Sequence, residues 1–124
     1  MRARLFLTAA LLLAAACTVD GQNMTTPAET CAALAEVTCA KLTECYAPEV
    51  LEAAAVPAGL EDCVAATRAE LDCESRTEET ACPAGLTYDP VMAASCLAEN
   101  RLLTCEAMEG RRKEHVPSCS QVCR

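Results

Sequence analysis

Hydrophobic and polar positions divide this chain into a short apolar head and a long amphipathic remainder. Residues 5–16, LFLTAALLLAAA, carry no charge and follow the cationic start Met1-Arg2-Ala3-Arg4. A cationic end, an apolar run and small residues before a cleavage point are the three parts of a secretory signal peptide. The run is too short for a bilayer span, which takes about 20 apolar residues. Residues 18–25, TVDGQNMT, then lack periodicity and read as a tether.

Beyond the tether the pattern is helical. Thr26-Pro27-Ala28-Glu29 sets Thr at the N-cap, Pro at N1 and Glu at N3, which opens a helix. Cys31, Leu34/Ala35, Thr38, Leu42 and Cys45 recur on one face with Cys39 on its flank, and Ala47-Pro48 ends the run. Residues 49–56 are alanine-rich and can add a turn or two of helix before Pro57. A second main helix is expected from Ala58 to Cys73, with Leu60, Cys63, Val64, Thr67 and Leu71 on its face. Residues 74–87 form a polar connection with turn chemistry at Cys82-Pro83-Ala84-Gly85, and Cys82 is its expected pin.

Asp89-Pro90 starts a third main helix, expected to run to Met108 and stop at Gly110. Met92, Cys96, Leu103 and Ala107 make its main face. Cys105 lies nine residues after Cys96, half a turn round the helix, which forbids a Cys96–Cys105 bridge within a regular helix. Either this helix has bonded neighbours on two sides or Cys105 sits where it frays. A short last helix is expected over Pro117 to Cys123. No alternating β-branched or aromatic run occurs, so the expected fold class is all-α: three main helices and a short C-terminal one.

Composition says what holds such helices together. The chain has 11 cysteines, no Trp, one Phe and two Tyr, and the Phe lies in the signal. A core of Ala, Leu, Val and Met buries little area per residue, so packing alone is marginal at this size. Cysteine at this density in a short exported chain signals a disulfide scaffold. Cys31, Cys39, Cys45, Cys63, Cys73, Cys82, Cys96, Cys105, Cys119 and Cys123 are an even set and are all expected to be bridged, with cross-links between different helices and Cys119 and Cys123 tying the tail to the bundle. Ten cysteines allow about 945 pairings, so the connectivity stays open.

The eleventh cysteine is Cys17. Ala14-Ala15-Ala16-Cys17 resembles the lipobox of bacterial lipoproteins, with Ala14 where that family favours Leu. The resemblance implies a lipidated Cys17 as the new N-terminus, and Thr18 after it implies the outer membrane. The same bond also fits an ordinary A-x-A site, Ala14 and Ala16, of a secreted protein. The expected organisation is a signal peptide over 1–16, a lipidated N-terminus and tether over 17–25, and a cysteine-rich helical domain over 26–124. Asn23-Met24-Thr25 fits a glycosylation acceptor, incidental behind a bacterial signal.

Charge narrows the partners. Loss of Arg2 and Arg4 with the signal leaves eight of the ten basic residues against all 18 acidic ones. Such a chain lacks the basic face that nucleic acid requires. Its membrane contact is expected through the lipid anchor and its further contacts through envelope proteins. The cluster Arg111-Arg112-Lys113 reads as cations at the negative end of a helix dipole.

Reactive chemistry finds little footing. The chain has one His, no G-x-S-x-G, no glycine-rich phosphate loop and no C-x-x-C, so no catalytic residue and no cofactor is expected. His115, Cys119 and Cys123 stand at i, i+4 and i+8, a possible zinc or copper set. It needs reduced thiols, which an oxidising compartment disfavours, and Pro117 interrupts the stretch.

Cys63-x9-Cys73 resembles half of a twin C-x9-C helical hairpin, while Cys96-x8-Cys105 departs from it by one residue. The Cys-Cys and Cys-x-Cys elements of plant lipid-transfer proteins are missing. Cys31-x7-Cys39-x5-Cys45, Leu60-x2-Cys63 and Tyr88-Asp89-Pro90 followed by Ala93, Ala94, Cys96 and Leu97 are similar to small cysteine-rich exported proteins of myxobacteria-like bacteria. That resemblance implies a compartment and a helical fold, and no activity. The expected function is a structural or protein-interaction role at the envelope, with a small apolar-ligand or lipid carrier as the alternative.

Overall fold

Thr26 opens the first helix as its sequence demands: its Oγ1 accepts the Glu29 N–H at 3.2 Å and Pro27 takes the first helical position. The computed structural model describes residues 26–110 and 112–124; the signal, Cys17 and the tether lie outside the described residues. Helix α1, Pro27–Cys45, is the central rod, and α3, α4 and α5 all pack on it. Helix α2, Pro48–Ala53, is a short addition that buries Leu51. Its end is a left-handed cap, in which Ala55 (φ 58°) lets the Val56 N–H reach the Leu51 carbonyl at 2.8 Å.

Helix α3, Leu60–Glu70, stops three residues earlier than its apolar pattern suggests. Asp72 turns left-handed at φ 51°, and Cys73 begins a 3-10 turn, Cys73–Ser75. Asp tolerates that conformation better than most residues. The turn is what allows both Cys63 and Cys73 to face α1, since on one helix they would point about 80° apart.

The third expected helix is two. Asp89 caps α4, Pro90–Arg101, by accepting from the Val91 and Met92 N–H groups at 2.9 and 3.1 Å. The chain then breaks, and Thr104 caps α5, Cys105–Glu109, by accepting from the Ala107 N–H at 3.2 Å. The break leaves Leu102 exposed, buries Leu103 and turns Cys105 toward α1. Gly110 follows α5 where a stop was expected. Helix α6, Arg112–His115, precedes a 3-10 turn, Pro117–Gln121, where a short α-helix was expected.

Five disulfides join these pieces. Cys31–Cys73, Cys39–Cys63 and Cys45–Cys105 fan out from α1 to the 3-10 turn after α3, to α3 itself and to α5. Cys96–Cys119 binds the C-terminal 3-10 turn to α4, where Glu99 also accepts from the N–H and hydroxyl of Ser118 at 3.0 and 2.6 Å. Cys82–Cys123 pins the polar connection, as expected of Cys82. Beside it Thr87 and Arg124 exchange backbone hydrogen bonds of 2.8 and 3.1 Å, the one β-like pairing among the described residues. The fold is a disulfide-stapled helical bundle. Among the described residues, five of the 12 buried hydrophobic side chains of the core are half-cystines, three more are Ala, and Leu97 is the largest that is fully buried. Oxidation therefore supplies much of the interior that large apolar residues supply elsewhere.

Candidate ligand-binding cleft

The disulfides that link α1 and α4 to their neighbours also frame the concavity between them. Leu34 of α1, Ala93 and Leu97 of α4, and Val116 and Val122 of the tail line a cleft of about 530 Å³. That volume lies within the roughly 300–1,000 Å³ usual for small-molecule sites, which are mostly apolar with a few placed polar groups. Three half-cystines from two bridges, Cys31, Cys96 and Cys119, contribute to the wall, so the cleft's shape depends on oxidation.

Its polar groups are few. The Tyr88 hydroxyl and Thr30 Oγ1 are hydrogen-bonded to each other at 2.8 Å. Burial on this wall pushes the Tyr88 phenol above its ordinary pKa, against the opposing effect of the Thr30 bond and with a smaller upward push from the nearby carboxylates of Glu78, Asp89 and Glu29. Three cations complete the lining: Arg76, Arg112 and Lys113. Arg76 donates from Nε to the Leu71 carbonyl at 3.1 Å, and Arg112 donates from Nη2 to Asn100 Oδ1 at 2.7 Å. Among the described residues no carboxylate lines the cleft.

A second groove, of about 600 Å³ between α1 and α3, is its electrostatic opposite. Glu36, Glu61, Asp72 and Glu74 line it, with the exposed Arg68–Glu74 pair at 3.3 Å. Its lining is the surface acidity expected of this composition.

The ten cysteines expected to be bridged are all bridged, and four of the five cross-links join different helical segments, the fifth tying the tail to the connection. The possible metal set is not assembled as ligands: Cys119 and Cys123 give their sulfurs to Cys96 and Cys82, so neither is a thiolate, and His115 is exposed. Among the described residues no three His, Cys, Asp or Glu side chains converge as a metal site. The lipidation position, Cys17, lies outside the described residues. Sequence reasoning missed the cleft's cations. Arg112 does meet a helix end, that of α4, but through the Asn100 side chain, and with Lys113 it turns to the cleft. Arg76 joins them from the polar connection 36 residues earlier than Arg112 in the chain, a convergence only the fold creates.

Among the described residues no helix is long and apolar enough to cross a membrane, and five disulfides fit an oxidising, exported setting. No family model, no curated protein and no solved structure matches the chain.

Proposed function

We propose that this chain is an exported, non-catalytic binding protein of the cell envelope, anchored through lipid on Cys17, whose apolar cleft carries a small apolar ligand. The cleft between α1, α4 and the C-terminal tail supports this reading. It favours a carrier over a purely structural or protein-interaction role, because a mostly apolar concavity of about 530 Å³ with a few polar groups has the size and lining of a small-molecule site. The likeness to cysteine-rich exported proteins of myxobacteria-like bacteria supports the compartment and adds nothing on the ligand.

The test uses the full chain made in an export-competent host. Native mass spectrometry of the oxidised protein is expected to find a bound lipid-sized species, and the neutral dye N-phenylnaphthylamine to bind the oxidised but not the reduced form. A protein that binds no apolar probe in either state is not a carrier. Intact mass is expected to show acyl additions that Cys17→Ser abolishes; an unmodified N-terminus at Cys17 would overturn the anchor alone.

A further inference from the structure

We infer that the cleft selects an amphiphile with one hydrocarbon chain and an anionic head, a long-chain carboxylate, held by Arg76, Arg112 and Lys113. The inference rests on the carrier reading and names its ligand class.

The argument begins with charge. The whole chain has 18 acidic and ten basic residues, yet among the described residues the cleft lining has three cations and no carboxylate. Of the described cations outside the cleft, Lys41 pairs with Glu44, Arg68 with Glu74 and Arg124 with Asp89, while Arg101 stands alone and exposed at the end of α4. Arg76, Arg112 and Lys113 form no such pair among the described residues; Arg76 and Arg112 meet only a carbonyl and a neutral amide. Three cations at the edge of an apolar concavity attract an anion and repel a cation.

Fixed geometry adds to charge. Asn100 is buried at 3% exposure, and its Nδ2 donates to the Cys96 carbonyl at 2.8 Å while lying 3.3 Å from Cys119 Sγ. Asn100 Oδ1 is thereby aimed at Arg112, and its amide holds the guanidinium without neutralising it. A guanidinium held by one nitrogen keeps other N–H donors for a carboxylate, which planar Arg matches bidentately.

Size and polarity set the rest of the ligand. Leu34, Leu97, Val116 and Val122 offer a hydrocarbon surface, and each methylene transferred to it contributes about 0.8 kcal/mol. A cleft of about 530 Å³ is in the lower half of the small-molecule range. It suits one chain and not the two of a membrane phospholipid. The opposing groove, lined by four carboxylates, has the wrong sign for such a ligand and serves as an internal control.

The experiment displaces N-phenylnaphthylamine from the oxidised full chain with dodecanoate, dodecanol and dodecylamine near neutral pH. Dodecanoate is expected to bind at least about tenfold more tightly than dodecanol, the order of one charge-assisted hydrogen bond, and dodecylamine more weakly than either. Added salt should narrow the gap. Lys113→Glu, at an exposed site without an ion pair among the described residues, should lower dodecanoate affinity severalfold more than dodecanol affinity, with cooperative melting retained. Arg112→Gln should do likewise for the ligands. Equal binding of dodecanoate and dodecanol, or equal loss of both in Lys113→Glu, overturns the anionic head and leaves the carrier reading standing. Failure of the dye and all three amphiphiles overturns both. A zero-length cross-link between Lys113 and Asp20, with no amphiphile bound, would overturn the inference by assigning the cleft to the chain's own tether.

Discussion

Arg112 donates to Asn100 Oδ1 across 2.7 Å, and Asn100 is the one buried polar residue among the described residues. The bond ties the exposed α6 to the end of α4 through a side chain whose other arm rests on the Cys96–Cys119 disulfide. A buried amide is tolerable only when both of its ends are satisfied. Here a half-cystine's carbonyl satisfies one end and a cleft cation the other, so the covalent staple, the buried amide and the cleft's charge form one unit.

Asn100→Ala should destabilise the oxidised protein by about 1–3 kcal/mol, the order lost when a buried hydrogen-bonded group is removed. Urea denaturation followed by far-ultraviolet circular dichroism checks it. An unchanged urea midpoint would mean that Arg112 and Asn100 do not act together in solution.

Reduction of all five disulfides should unfold the described domain. Each bridge closes a loop of 23 to 60 residues in separation, for which about 3–4 kcal/mol is typical on the chain-entropy scale. Domains of this size have total stabilities of only about 5–15 kcal/mol. The measurement is helical dichroism with and without a strong reductant, with thiol alkylation reporting completeness. Retained cooperative melting after full reduction would show that packing suffices.

Acid should weaken the fold partly through Asp89. The Met92 N–H, first, and then Arg124 and the Val91 N–H hold its carboxyl below the ordinary value of 3.8, against the effect of burial. A carboxylate whose folded pKa is depressed contributes stability that is fully present above the unfolded value and lost as pH falls through the folded one. The urea midpoint should therefore decline below about pH 4. The decline should be smaller in Asp89→Asn, which keeps a capping oxygen without the titration. Equal slopes in the two proteins would refute the assignment.

Ala55→Gly should raise stability, by up to about 1 kcal/mol. Ala55 occupies the left-handed position of the α2 cap at φ 58°, a conformation that costs a side-chain-bearing residue roughly 1–2 kcal/mol relative to its usual basins. Glycine avoids the strain but loses more entropy on folding, so only part is recovered. Thermal melting of the oxidised pair decides the sign.

Local chemistry made some elements legible and left others hidden. Thr26-Pro27 and Asp89-Pro90 announce α1 and α4 because an N-cap and a proline at N1 act within four residues. Thr104 carries the same kind of signal for α5, masked by an apolar period that continues across it. The stop at Asp72 carries no Gly or Pro, and the left-handed turn becomes sensible only beside the Cys31–Cys73 and Cys39–Cys63 bridges.

The amino-acid order by itself determined that this is an all-helical, cysteine-stapled chain poor in large apolar residues, since caps, periodicity and residue types act locally or by count. Only the tertiary structure decided which sulfur meets which and where the long helix breaks. It alone brought Arg76, Arg112 and Lys113 around one apolar cleft. Those outcomes depend on distances between segments far apart in sequence, and each is fixed by helices closing against α1 rather than by any neighbour along the chain.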